Sequence, residues 1–168
     1  YNTAETNLAG TLLRAAIGNN LSTYLEEKVW GPFGMAAETY WQLTEPGGGE
    51  FGGCCINATL RDYGRLGLFA LADGVLEDGT RVLPEGWMAA STAPSKGYAG
   101  YGYFWWLNPN GTYSASGIFG QGIHISPEKD LVIAVHSAWE HAGRDEDFDR
   151  LDSVYQAIAD ALQQPARE

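Results

Sequence analysis

SASGIFGQGIHISPEKDLVIAVHS, residues 114–137, decides how this chain folds. GIHIS (122–126) and LVIAVHSA (131–138) are short apolar runs that read as β-strands. SPEKD (126–130) lies between them, with a proline and charged residues where a hairpin turn belongs. TYSAS (112–116) and YGYFWWL (101–107) extend the pattern upstream, separated by NPNG (108–111) and GIFGQ (117–121), so an antiparallel meander is expected after Pro94. In GIFGQ, small residues and two glycines surround Ile118-Phe119. The stretch reads either as a bend in a sheet or as backbone N–H groups free to cradle an anion.

The rest of the chain is mainly helical or looped over 1–93. Leu8, Leu12, Leu13, Ala16 and Ile17 make one face of a helix over residues 3–17, with Asn2 and Glu5 as a capping pair and Gly18 at its end. LSTYLEEKVW (21–30) predicts a second helix stopped at Gly31-Pro32, and TYWQL (39–43) a short strand. GEFGGCCINAT (49–59) reads as a glycine-rich loop. Thr59 and Asp62 then open a helix through LRDYGRLGLFALA, and Pro84 sits at the first turn of another. A last helix, from about Asp145 to Gln163, carries Phe148, Leu151, Val154, Tyr155, Ile158 and Leu162 on one stripe. Helices, then hairpin strands, then a closing helix give an α+β class in which an antiparallel sheet is flanked by helices.

The totals narrow the function. The 168 residues make one domain, and the net charge of −11 argues against nucleic acid and anionic membranes as partners. No apolar run approaches the roughly 18 residues of a membrane span. Cys54 and Cys55 are adjacent, poorly placed to bridge each other, and read as buried small hydrophobes. His124, His136 and His141 lack metal-ligand spacing, so no metal site is expected; the two on strands read as sheet-face side chains. Ser126 and Lys129 spell Ser-x-x-Lys, but Pro127 and the hairpin context make the match a decoy. Of Trp105 and Trp106, adjacent on a strand, at most one can line a given groove.

YNTAETNLAG (1–10), GPFGM (31–35), FGGCCINATLRDYGRLGLFAL (51–71), LPEGW (83–87) and the 114–137 stretch, in that order, resemble the serine β-lactamase-like hydrolases. This group holds class C β-lactamases, D-alanyl-D-alanine carboxypeptidases, family VIII-type esterases and 6-aminohexanoate-dimer hydrolases. The resemblance implies a β-lactamase/transpeptidase-like fold, of which this chain is the C-terminal half, with residues 94–168 supplying sheet strands and the last helix. Tyr1 falls on the family's catalytic tyrosine, a proton relay between serine, lysine and leaving group. Ala115-Ser116-Gly117 falls on the Lys-Thr-Gly triad, the Ile118 backbone N–H on half of the oxyanion hole, and YGYFWWL (101–107) on an adjacent strand whose rings wall the substrate cleft. Thr3 stands where the Asn of Tyr-x-Asn would be, and Ala115 where the lysine would be, so Thr3, Ala115, Ser116 and Gly117 are the implied substrate contacts. Both departures weaken a β-lactamase or peptidase reading and favour hydrolysis of an ester or linear amide.

The family's nucleophilic Ser-x-x-Lys has no match here. The resemblance therefore implies a partner segment carrying it, an isolated chain without activity, and no metal or organic cofactor. Two other readings remain open: a binding module that keeps the fold without the chemistry, and a β-rich carbohydrate binder using Trp105 or Trp106. The compartment is open, with cytoplasmic, periplasmic and secreted placements all compatible.

Overall fold

The computed structural model describes residues 2–162. A four-stranded antiparallel sheet is its centre, in the order β3 (Trp106–Leu107), β4 (Tyr113–Ser116), β5 (Gly122–Ser126) and β6 (Leu131–Val135). The expected meander is present, and its register pairs Ala115 with Ile123, Ser116 with Gly122 and Ser126 with Leu131. SPEKD is the turn between β5 and β6, with Asp130 at a positive φ of 48°. Ser126 is therefore a buried strand residue, not a nucleophile one helical turn from Lys129.

The helices are α1 (Thr3–Ile17), α2 (Leu21–Leu25), α3 (Leu60–Leu71), α4 (Trp87–Ser91) and α5 (Asp145–Ala161). Helix α3 packs on one face of β5 and β6. Ala70, Met88, Tyr113, Ile123 and Ile125 form the core there, with Tyr63, Leu66, Trp105 and Ala115 against it. On the other face, Tyr155 of α5 stacks on His124 at 4.6 Å between ring centroids. Residues on one strand thus divide cleanly, Tyr113 and Ala115 towards α3, Ser114 towards α5, as the period of two demands.

The expected caps are in place. The Asn2 Oδ1 accepts the Ala4 N–H at 3.0 Å, and Gly18 closes α1 in the left-handed region at φ 63°. The Thr59 hydroxyl oxygen accepts the Asp62 N–H at 3.2 Å, and three acids occupy the first turn of α5. Asp62 does more than cap. Completely buried, its carboxylate accepts the N–H groups of Ala36 (2.8 Å) and Ala37 (3.1 Å), the Thr59 hydroxyl and the Arg65 guanidinium. Burial alone would raise its pKa; these donors together hold it below the usual carboxylate range. Glu50 is a second buried acid. Burial pushes its pKa up, but the Ser22 hydroxyl and N–H pull it down to about 2, and Arg14 of α1 pairs with it.

Several expectations give way. LSTYLEEKVW is α-helical only as far as Leu25, and Glu26–Trp30 widens into a π-helical turn as the chain approaches Gly31-Pro32. TYWQL shrinks to β1 (Tyr40–Trp41), whose partner β2 (Ile56–Asn57) lies inside the stretch expected to be all loop. Helix α4 starts at Trp87, so Pro84 belongs to the turn before it. The stripes of α1 and α5 are not core. Leu8, Leu12 and Leu13 are exposed, as are Val154, Ile158 and Leu162, and only Tyr155 and Ala159 of α5 are buried. Cys54 and Cys55 are disulfide-bonded to each other and only half-buried, with Cys55 at φ 101°. The left-handed backbone at Cys55 turns two neighbouring side chains together that ordinary backbone would point apart.

Candidate active site

The implied site residues Ala115, Ser116, Gly117 and Ile118 run consecutively out of β4 into the turn that leads to β5. Ala115 faces the α3 side and is half-buried, whereas Ser116 and Ile118 are exposed. Five hydrogen bonds among the described residues hold the turn, two of them from the Gly120 N–H to the Gly117 carbonyl at 3.1 Å and from the Trp139 N–H to the Phe119 carbonyl at 3.3 Å. The Gly117 N–H donates to the Gln121 carbonyl at 2.8 Å, the Phe119 N–H to the Gln121 Oε1 at 3.2 Å, and the Gly143 N–H to the Ile118 carbonyl at 2.6 Å. The carbonyl of Ile118 is thereby committed to Gly143. Among the described residues, no acceptor lies within hydrogen-bond reach of its N–H. The sequence left bend and anion cradle as alternatives for GIFGQ; the geometry is a pinned turn in which the Ile118 N–H has no acceptor among the described residues.

Thr3 is the exposed first residue of α1, and the contacts that place it are with Gly53: a Cβ built there would meet the Thr3 methyl group at 2.6 Å and its carbonyl at 2.8 Å. Tyr1 lies outside the described residues.

Beside Ala115 opens a cleft of about 530 Å³, lined by Trp87, Tyr101, Gly102, Tyr103, Phe104, Trp105 and Ala115. Its wall corrects the expected strand YGYFWWL. Only Trp106-Leu107 is strand, and residues 101–106 double back so that the Gly102 N–H donates to the Trp105 carbonyl at 2.9 Å. The loop is strapped to the end of α4 by the Tyr103 N–H, which donates to the Ser91 carbonyl at 2.7 Å. Phe104 takes a φ of 65°, rare for a bulky residue and concentrated at functional loops. The two tryptophans divide as expected: Trp105 lines the cleft and meets Tyr113 edge-on at 5.1 Å, while Trp106 meets Tyr101 at 4.8 Å.

The resemblance gave the rings of YGYFWWL as a cleft wall, and Tyr101, Tyr103, Phe104 and Trp105 do line this cleft, from a reversed loop and not from a strand; sequence reasoning missed Trp87. The available signal was glycine placement, with Gly86 before Trp87 and Gly102 within the aromatic run. Elsewhere, the Ser114 Oγ lies 3.0 Å from the His124 Nδ1 in a buried pair on the α5 side, away from the cleft. His136 meets Tyr63 edge-on at 5.1 Å. Among the described residues, no group of histidines, cysteines and carboxylates could hold a metal ion, and no helix is long and apolar enough to cross a membrane.

Comparison with known proteins agrees with this architecture. A 6-aminohexanoate-dimer hydrolase from Paenarthrobacter ureafaciens is 26% identical over 154 residues, covering 83% of this chain and 39% of its own length. A solved structure from Bacillus anthracis, assigned as a 6-aminohexanoate-dimer hydrolase, superposes with a TM-score of 0.84 at 25% identity, covering 99% of this chain and 45% of its own. A β-lactamase from Mycobacterium bovis shares the fold, with a TM-score of 0.74 at 18% identity over 98% of this chain and 64% of its own. The chain thus spans less than half the length of the two hydrolases it matches. The family model described as Beta-lactamase matches residues 1–156, and the chain belongs to that family.

Proposed function

We propose that this chain forms the C-terminal part of a serine hydrolase that cleaves esters or linear amides through an acyl-enzyme. The observation that carries the reading is the end of β4: a pinned turn leaves the Ile118 N–H without an acceptor among the described residues, three positions along the chain from Ala115 in the wall of an aromatic cleft. A serine hydroxyl from a Ser-x-x-Lys segment in the longer protein adds to the substrate carbonyl. The developing oxyanion takes hydrogen bonds from the Ile118 N–H and the serine's own N–H, each worth about 3 kcal/mol. Tyr1 passes the serine proton to the departing alcohol or amine. Water then attacks the acyl-serine, releasing the acid and restoring the hydroxyl. Ser116, Gly117 and Thr3 contact the substrate, and no metal or organic cofactor takes part.

Ala115 favours esters and linear amides over β-lactams and D-alanyl peptides. A lysine at that position would supply a cation for a substrate carboxylate, and a methyl group does not. The same substitution also favours a second reading, a binding module that keeps the fold and has lost the chemistry.

A fluorophosphonate probe and short-chain methyl esters test the proposal on the protein with its upstream segment. Label on a serine ahead of Tyr1, with ester turnover falling at least 100-fold in Tyr1→Phe, is the expected result. No label and no turnover in a folded sample would overturn the hydrolase reading and leave the binding module.

A further inference from the structure

The cleft beside Ala115 points to a substrate class narrower than esters and amides in general. We infer that it receives an uncharged aromatic group flanking the scissile bond, held between Trp87, Tyr103 and Trp105, with Ala115 admitting neutral groups there. As a statement about substrates it rests on the hydrolase reading above; as a statement about binding it does not.

The lining is the first argument. Of the seven residues around the cleft, five are aromatic and none is charged. A carboxylate or ammonium group entering it would lose water without meeting a counter-ion in the wall, which is costly. A flat apolar group loses little and gains ring contacts in edge-on or offset geometry. The volume, about 530 Å³, lies within the range of small-molecule sites and suits one ring with its linker.

The second argument is pre-organisation. Trp87, Tyr103 and Phe104 are 43%, 54% and 56% exposed, three large apolar residues left together at the surface. They are nevertheless held. Tyr103 is tied through its N–H to Ser91, Trp105 is packed on Tyr113, and Trp87 and Tyr103 stand 6.0 Å apart at a 46° tilt. Gly102 lets the loop lie directly on the Ser91 carbonyl, where any Cβ would collide. The backbone at Phe104 accepts a left-handed conformation to close this loop, which packing alone does not require of an exposed phenylalanine.

The third argument is continuity. Ala115 belongs to the cleft wall and also precedes Ser116, Gly117 and Ile118 on the chain. A ring in the cleft therefore lies against the strand whose continuation carries the proposed oxyanion donor.

Two measurements test the inference, the first of them separately from the chemistry. In ligand-observed NMR titration of the unreacted protein, phenylacetamide should bind about tenfold more tightly than butanamide or succinamate. Tyr103→Ala and Trp87→Ala, both at exposed positions, should each remove most of that preference. In turnover by the protein with its upstream segment, methyl phenylacetate or benzyl acetate should exceed monomethyl succinate by at least tenfold in kcat/KM. Ala115→Lys should shift that ratio towards the succinate by a similar factor. Preference in binding without any ester turnover would overturn the hydrolase reading and support the cleft. Active protein with equal binding of the three amides, or variants that leave the preference intact, would overturn the cleft assignment.

Discussion

Ser114 and His124 face each other across β4 and β5, their Oγ and Nδ1 atoms 3.0 Å apart, both nearly closed to solvent, with the ring of Tyr155 stacked on His124. Burial pushes the imidazole pKa of His124 below its ordinary value. The unfolded chain therefore binds the proton more readily than the folded one. The contribution to stability is whole above about pH 6.5 and is lost as the pH falls from there towards the lower folded value. Thermal melts between pH 8 and pH 5 should show this slope in the parent and a flatter one in His124→Phe. An unchanged slope in the variant would remove His124 as its cause.

Two glycines of α3 should respond oppositely to the same substitution. A Cβ at Gly64 would meet only the Ala134 Cβ, at 4.0 Å, whereas one at Gly67 would lie 2.5 Å from the Val132 Cγ1 and 2.8 Å from the Ile123 Cγ2. Gly64→Ala is expected to stabilise the chain by about 0.5–1 kcal/mol through helix propensity. Gly67→Ala is expected to cost about 1–3 kcal/mol, because helix and sheet must separate. Trimming Val132 to alanine in the Gly67→Ala background should return part of that loss. A double-mutant cycle from urea unfolding reads the coupling, and additivity would contradict the contact.

These examples also mark how far the sequence carries. The meander from 101 to 138 was legible because apolar runs and turn residues alternate there, and helix ends at Asn2, Gly18 and Thr59 declared themselves through caps. The stripes of α1 and α5 were legible as helices but not as surface: periodicity shows that a face is apolar, not what covers it. The Cys54–Cys55 bond depends on the positive φ at Cys55, which residue type does not announce. At the proposed site, the resemblance of the 114–137 stretch singled out Ala115 to Ile118. The aromatic wall beside Ala115, Trp87 of α4 apart, arises from a loop reversal at Gly102 and Phe104 inside what read as a strand.

Asp62 should be the least replaceable acid in the chain. Four donors converge on its carboxylate, two of them backbone N–H groups of the 36–37 segment, so it joins that segment to the start of α3. In Asp62→Asn an amide NH₂ must face one set of donors, leaving buried groups unpaired and Arg65 without its counter-charge. The expected loss is on the order of 3 kcal/mol. The folded pKa is depressed, so this stabilisation is present above the ordinary aspartate range and is lost as the pH falls through the lowered value. Urea unfolding at pH 7 tests the substitution, and a loss below about 1 kcal/mol would mean that the segment finds other acceptors.

Gly102→Ala should loosen the cleft wall without touching the core sheet. A Cβ there overlaps the Ser91 carbonyl oxygen, which is main chain at the end of α4 and cannot rotate aside as a flexible side chain could. The loop must lift, and the first bond to go is the one from the Tyr103 N–H to the same carbonyl, now 2.7 Å long. Native-state hydrogen exchange should therefore accelerate at the Tyr103 amide. The Ile123 and Ile125 amides, in the middle of the sheet, should exchange at the parent rate. Trp87 and Tyr103 would no longer be held in their present tilt, so phenylacetamide affinity should fall with the loss of protection. Faster exchange in the sheet as well would show that the loop is part of the cooperative core.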